Sequence, residues 1–309
     1  MKNFVIFLSS MFAGLLFGTA HAGNDAAAGN YAQAVTPQRG ALYRLRHQNN
    51  TAYLFGTIHV GIPDFYPLEE QVTRALADAS KLVLEIDIRD PGALQQALHK
   101  HGMYAQNDSV ERHLSAATLA RLKQTLQRYK VPFEHVRRMK PWVVTNMLMS
   151  LDLARSGYHH NLSVEHFLLS SVHGKPKTVQ GLESAEYQMS LFDSMNDTMQ
   201  EQYLLEQLVE LDDGNTIRRA QGLIDAWARA DNDAVEKMMR DSLLEKSVSS
   251  EFIQRVLLDR RNPRMADKIE VLLRNDASTF VGIGLLHLIG EGSVPALLRQ
   301  RGYAVERLY

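Results

Sequence analysis

Two histidines stand three residues after a glycine, at the ends of strand-like runs: Gly56-Thr57-Ile58-His59 and Gly284-Leu285-Leu286-His287. An imidazole just beyond a strand can ligate a metal or carry a proton, because strand ends in partly parallel sheets converge on a crevice. The spacing alone is weak. The chain holds 19 glycines and 12 histidines, and Gly18-x-x-His21 and Gly157-x-x-His160 repeat the pattern without a strand before them. Glu85 adds a third group. It interrupts Leu82-Val83-Leu84-Glu85-Ile86-Asp87-Ile88, and a carboxylate inside such a strand must be paired, protonated or bound to metal to offset its desolvation. Alternation puts Asp87 on the same face, where a solvated role suffices. Glu183, in Gly181-Leu182-Glu183, follows another strand; it is a further ligand or base, or an acid stabilised at a helix N-terminus. Arg261-Asn262 opens a turn through Pro263 that by itself reads as surface, as do His159, His160, His166 and His173.

Composition restricts the chemistry further. The chain has no cysteine, which removes disulfides, thiolate nucleophiles and Cys-held zinc, iron–sulfur or haem. Any metal must be held by His, Asp, Glu or neutral oxygen donors. With 34 Lys and Arg against 35 Asp and Glu and no basic cluster, neither nucleic acid nor an anionic membrane surface is expected as the main partner. The serine nucleophile elbow, His-Glu-x-x-His, the phosphate loop and the EF-hand are missing from the sequence.

The elements that must position these groups follow from periodicity. Leu42 to Arg46 and Ala52 to Phe55 flank Gln48-Asn49-Asn50 as a hairpin. Leu68, Val72, Leu76 and Ala79 have helical spacing, and an apolar strand over 81–88 follows. Strand, helix, strand implies a partly parallel sheet. Ser115 caps a helix whose stripe is Leu119, Leu122, Leu126 and Tyr129, and further helices start at Pro141 and span 162–172. A strand over 177–181 precedes long helices over about 184–211 and 216–245. Residues 279–284 form a last buried strand. A short helix capped by Ser293 and an edge strand over 303–308 end the sequence. The expected fold class is therefore α/β: a mixed, partly parallel central sheet built from N- and C-terminal strands, with a helical insertion over about 110–250.

Lys2, the apolar run from Phe4 to Gly18 and Ala20-His21-Ala22 have the layout of a secretory signal peptide cleaved after Ala22. That run is shorter than the roughly 20 residues a membrane span needs. Residues 23–39 read as a flexible leader and 40–309 as a single domain. A periplasmic or secreted protein without a stable membrane anchor is expected.

Taken in order, several segments resemble the TraB/GumN family, relatives of the Tiki membrane-tethered metalloproteases and, more remotely, of the erythromycin-esterase/ChaN group. They are Tyr53-Leu54-Phe55-Gly56-Thr57-Ile58-His59-Val60-Gly61, Leu82-Val83-Leu84-Glu85, Lys140-Pro141-Trp142, Gly181-Leu182-Glu183-Ser184-Ala185-Glu186-Tyr187-Gln188, Arg261-Asn262, and the run from Gly284 through His287-Leu288 to Gly302-Tyr303. The resemblance covers nearly all of the sequence beyond the signal peptide. It implies an erythromycin-esterase/ChaN-like fold and a metal or catalytic centre of two Gly-x-x-His motifs plus a glutamate, here His59, His287 and Glu85. Glu183, Arg261 and Asn262 match further motif positions. Two departures stand out: Leu286 and Ile289 replace the Gly and Pro that relatives often carry beside the second histidine, and no Gly-x-Asp precedes Phe167, although Glu165 lies nearby.

The resemblance therefore implies an exported metal-dependent hydrolase, a peptidase on the Tiki likeness, with a divalent Mn, Co or Zn ion and a peptide or small-molecule substrate. Glu85 or Glu183 would serve as ligand or general base, and Arg261 would stabilise charge developing on a carbonyl oxygen. The rival expectation is a non-catalytic periplasmic binding or regulatory protein for a peptide or an envelope polysaccharide pathway. The hydrolase reading requires His59, His287 and Glu85 to lie within about 8 Å of one another, because metal–ligand bonds are near 2 Å.

Overall fold

Runs of apolar residues bounded by turns build one six-stranded sheet: β1 Leu42–His47, β2 Asn50–Thr57, β3 Lys81–Ile86, β4 Thr178–Glu183, β5 Ser278–Gly284 and β6 Ala304–Arg307. The computed structural model describes residues 38–309. The expected signal peptide and the leader through residue 37 lie outside the described residues. Arg39, at the end of that leader, donates from Nη1 to Glu69 Oε1 at 2.9 Å.

The strand order is β4-β3-β5-β2-β1-β6. β1 and β2 form the expected antiparallel hairpin, and β6 is the antiparallel edge strand beside β1. β5 pairs in parallel with both β2 and β3, and β4 pairs in parallel with β3. The sheet is thus mixed and partly parallel. The strand from the C-terminal end enters between β2 and β3, so the expected strand–helix–strand unit has its two strands separated by β5. Both β3 and β5 are buried on both faces, which is the pattern of central parallel strands covered by helices.

Eleven α-helices of seven or more residues among the described residues surround the sheet. They are α1 Glu70–Asp78, α2 Pro91–Gly102, α3 Ala116–Tyr129, α4 Pro141–Arg155, α5 Val164–Val172, α6 Ala185–Asp193, α7 Asp197–Asp213, α8 Asn215–Ala228, α9 Asn232–Leu244, α10 Asn262–Asn275 and α11 Val294–Gln300. Ser115 and Ser293 cap α3 and α11 as expected, accepting from Thr118 N and Ala296 N. The two long helices expected over 184–211 and 216–245 are each broken. Asn196 accepts from Met199 N and Asp231 from Ala234 N, so each starts a new helix inside an unbroken apolar pattern. The helical middle of the molecule is crossed by β4, which joins the sheet edge beside β3. None of the described helices is long and apolar enough to cross a membrane.

Candidate active site at the strand ends

Four neighbouring strands, β4, β3, β5 and β2, present their carboxyl ends side by side. Glu183 ends β4, Glu85 is the penultimate residue of β3, His59 lies two residues past β2, and His287 sits in the single 3-10 turn Leu285–Leu288 after β5. Register aligns them, since Ile86 pairs with Glu183 and Thr57 with Gly284. Gly284 occupies the meeting point. A Cβ there would stand 3.3 Å from Glu85 Oε2, 3.6 Å from His59 Nε2 and 3.7 Å from His287 Cδ2. The absent side chain leaves the space in which both imidazoles and the carboxylate converge, within the limit of about 8 Å that shared ligation sets.

Glu85 is buried and heavily engaged. Its Oε1 accepts from Arg261 Nη2 at 2.5 Å and Gln188 Nε2 at 2.9 Å; its Oε2 accepts from the Gly284 N–H at 3.0 Å and faces His287 Nε2 at 3.8 Å. Glu183 Oε2 accepts from Arg261 Nη2 at 2.7 Å and Gln188 Nε2 at 3.0 Å, and Arg261 Nε lies 3.3 Å from Oε1. Arg261, 2% exposed, thus clamps two carboxylates in the planar fork geometry that a lysine cannot reproduce. Burial would raise the Glu85 pKa, but the Arg261 charge, helped by His287 and His59, holds this carboxyl far below the usual range.

The two histidines are fixed from behind. Asn262 Nδ2 donates to Gly292 O at 2.8 Å, which orients its amide so that Oδ1 accepts from His287 Nδ1 at 2.5 Å. That assigns the His287 proton to Nδ1 and leaves the Nε2 lone pair facing Glu85. Burial, then the Arg261 charge, pushes His287 down to about 3, so the ring is neutral at ordinary pH. His59 Nδ1 lies 2.9 Å from Glu165 Oε1. Burial would lower its pKa, but the Glu165 carboxylate outweighs burial and raises it to about 9. His160 Nδ1 donates to the His59 carbonyl oxygen at 3.0 Å; burial, then the neighbouring His166, pushes it down to about 4. His59, Glu85, His160 and Glu165 line a cavity of about 10 Å3 beside Ile86 and Ile88, space on the order of one water molecule.

Among the described residues no group of three or more His, Asp or Glu side chains is placed so that it could hold a metal ion as it stands. The donor chemistry nevertheless fits a divalent ion. His287 Nε2 is buried without a hydrogen-bond partner among the described residues, a lone pair left unsatisfied in a dry interior unless a cation or proton meets it. Glu85 and Glu183 flank one guanidinium and Glu165 pairs with His59, leaving two negative charges among these groups when both imidazoles are neutral. Each candidate histidine also has its Nδ1 held by an oxygen, the arrangement that orients ligating imidazoles.

The residues named from sequence, His59, Glu85, Glu183, Arg261, Asn262 and His287, are all brought together. Two surface expectations are corrected. Arg261-Asn262 is not a surface turn: the π-helical stretch Ile253–Asp259 and the start of α10 turn both side chains inward, with Pro263 in the first turn. His160 and His166 are half-buried, and their ring centroids meet at 5.1 Å; only His159 and His173 are exposed. The copy Gly157-x-x-His160, which no strand precedes, delivers its histidine against the backbone of the first motif. Glu165 and Gln188 were not among the residues expected at the centre. Each sits early in a helix capped by a serine, Ser163 and Ser184, so its local signal was that of an ordinary helix start. Only strand pairing reveals what it faces.

The family model described as "TraB/PrgY/gumN family" matches residues 41–307. The chain is 24% identical over 259 residues to the protein named "Uncharacterized protein YbaP" of Escherichia coli (strain K12), covering 81% of this chain and 89% of that one. It is also 24% identical over 305 residues to "Metalloprotease TIKI2" of Xenopus tropicalis, covering 82% of this chain but 57% of that protein. An "Uncharacterized protein" of Treponema pallidum (strain Nichols) is 24% identical over 273 residues, covering 84% of this chain and 80% of that one. No solved structure matches.

Proposed function

Because this chain belongs to the TraB/PrgY/gumN family, we propose that it is an exported metal-dependent hydrolase acting on peptides, with His59, Glu85 and His287 as its centre. The observation that carries the reading is the convergence of His59 Nε2, Glu85 Oε2 and the His287 ring around Gly284. The likeness to a named metalloprotease supports the reaction class. A bound divalent ion would supply Lewis acidity and lower the pKa of a water molecule.

The protein's own groups prepare that site. Asn262 keeps the His287 proton on Nδ1, so Nε2 is an available donor, and the depressed pKa keeps it so below neutral pH. His59 is different. Paired with Glu165 it carries a proton up to about pH 9, and that proton must leave before Nε2 can ligate, so ion binding releases a proton and strengthens as pH rises. Glu183 has both oxygens engaged by Arg261, with Gln188 also on Oε2; it holds Arg261, and Arg261 holds Glu85. Glu85 Oε2 is the carboxylate atom that faces the histidines, placed to be ligand or general base.

The test is cleavage of a peptide library by wild type, His59→Ala and Glu85→Gln, with the metal content of each measured. Cleavage by wild type and its loss in His59→Ala, on the order of 10²-fold or more, is expected. Glu85→Gln separates the two roles: metal retained with turnover lost makes Glu85 the base, and metal lost makes it a ligand. Stoichiometric metal in wild type with no turnover on the library would favour a binding protein instead.

A further inference from the structure

A histidine outside the proposed ligand set docks on the first motif. His160, from Gly157-x-x-His160, opens the 3-10 turn His160–Leu162 beside the loop that carries His59. Three backbone bonds zip the two segments together: Gly61 N–H to the His159 carbonyl at 3.0 Å, His159 N–H to the Gly61 carbonyl at 2.9 Å, and Val164 N–H to the Ile58 carbonyl at 3.1 Å. The carbonyl of His59 itself is met by a side chain. His160 Nδ1 reaches it at 3.0 Å, and because a carbonyl oxygen only accepts, the proton of that bond lies on Nδ1.

The ring that makes this bond is braced. His166 packs against it edge to face, with ring centroids 5.1 Å apart and planes at 87°, and the Ser163 hydroxyl lies 2.9 Å from His166 Nδ1. His160 also lines the same small cavity as His59, Glu85 and Glu165, which places it at the centre itself. From this we infer that His160 is a positioning residue, whose Nδ1–H fixes the main chain of His59 and thereby the direction of the His59 imidazole. The bond to the carbonyl sets the peptide plane that follows the His59 Cα, while Glu165 holds the ring at Nδ1. Backbone and ring are thus secured from one short segment. A ligand or proton carrier held in both places presents its remaining nitrogen along one line, as a preorganised centre requires. The inference rests on the hydrolase reading for why His59 must be aimed, but not for the aiming.

The test uses the full-length protein as wild type, His160→Asn, His160→Phe and His160→Ala. Asparagine keeps an N–H donor as many bonds from Cα as Nδ1 but no ring; phenylalanine keeps a ring to pack on His166 but no donor. Two quantities are read: the downfield proton NMR signal of the His59 Nδ1–H shared with Glu165, in metal-free protein at one pH, and the affinity for added Zn. Wild type and His160→Asn are expected to share the signal and to bind Zn within about 3-fold of each other. His160→Phe and His160→Ala are expected to lose or shift the signal and to bind Zn about 10-fold or more weakly. His160→Asn behaving like His160→Ala, or His160→Phe like wild type, overturns the inference, because ring packing and not the donated bond then matters. An unchanged signal in both donor-free variants, or no such signal in wild type, overturns it too. Should His160→Ala fail to fold, the contrast between His160→Asn and His160→Phe decides alone. The expected signal pattern with no Zn bound and no peptide cleaved by wild type sinks the hydrolase reading and leaves the role of His160 standing. Zn binding and cleavage equal in wild type and all three variants do the reverse.

Discussion

A buried guanidinium between two carboxylates is held by charge that neither side can release alone. Arg261 spends Nε and Nη2 on Glu183, Nη2 also on Glu85, and Nη1 on the Leu257 carbonyl at 3.4 Å. Removing one partner of such a group strands the other charges in the interior, which costs about 3–5 kcal/mol. Arg261→Met, similar in volume and uncharged, is expected to lose that much in urea unfolding, and a loss under about 1 kcal/mol would show that water reaches the pair. Glu85 was legible from sequence because a carboxylate in an apolar strand demands a partner. The identity of that partner was not, because Arg261 lies 176 positions away and its local context reads as a turn. The same limit applies to His160, whose glycine spacing had no strand before it.

At the scale of elements, the hairpin, β3, β5 and the capped helices were readable because each is dictated by neighbours in sequence. The helix breaks at Asn196 and Asp231 were missed because a continuous apolar pattern hides a local cap. Strand order was also beyond periodicity: nothing in β5 announces that it enters between β2 and β3. That insertion sets the two histidine loops side by side, and a second glycine keeps the first loop in place. Gly61 bridges to His159, its N–H donating to the His159 carbonyl at 3.0 Å, and a Cβ on Gly61 would stand 2.0 Å from the Leu162 carbonyl oxygen. Backbone cannot give way as a flexible side chain can. Gly61→Ala is therefore expected to force the 159–162 segment away from the His59 loop. The variant should lose about 1–3 kcal/mol of stability, seen as a lower Tm, and lose the peptide cleavage proposed to depend on His59; a wild-type Tm would contradict this packing.

For the molecule as a whole, stability carries a pH signature from a second buried acid. Burial, only partly offset by Arg219 at 3.4 Å and reinforced by Glu245, Glu206 and Asp213, raises Glu210 to about 8. The unfolded protein gives up this proton near the ordinary value of 4.5, whereas the folded protein keeps it, so stability falls as pH climbs from about 4.5 to 8. Glu210→Gln removes that dependence. Its Tm advantage over wild type is expected to widen across this range, and a constant difference would assign the pH response elsewhere. The centre itself draws on four strands gathered from the N-terminal part, the middle and the C-terminal part of the sequence, so its integrity reports on the whole fold. Our proposal is that His59, Glu85 and His287 hold one divalent ion. Its most direct test is titration of Mn, Co or Zn into chelator-stripped wild type and His287→Ala, followed by calorimetry. One ion per protein molecule in wild type, with affinity lost on the order of 10²-fold or more in the variant, is the expected result. No binding by wild type, or equal binding by both, would contradict it.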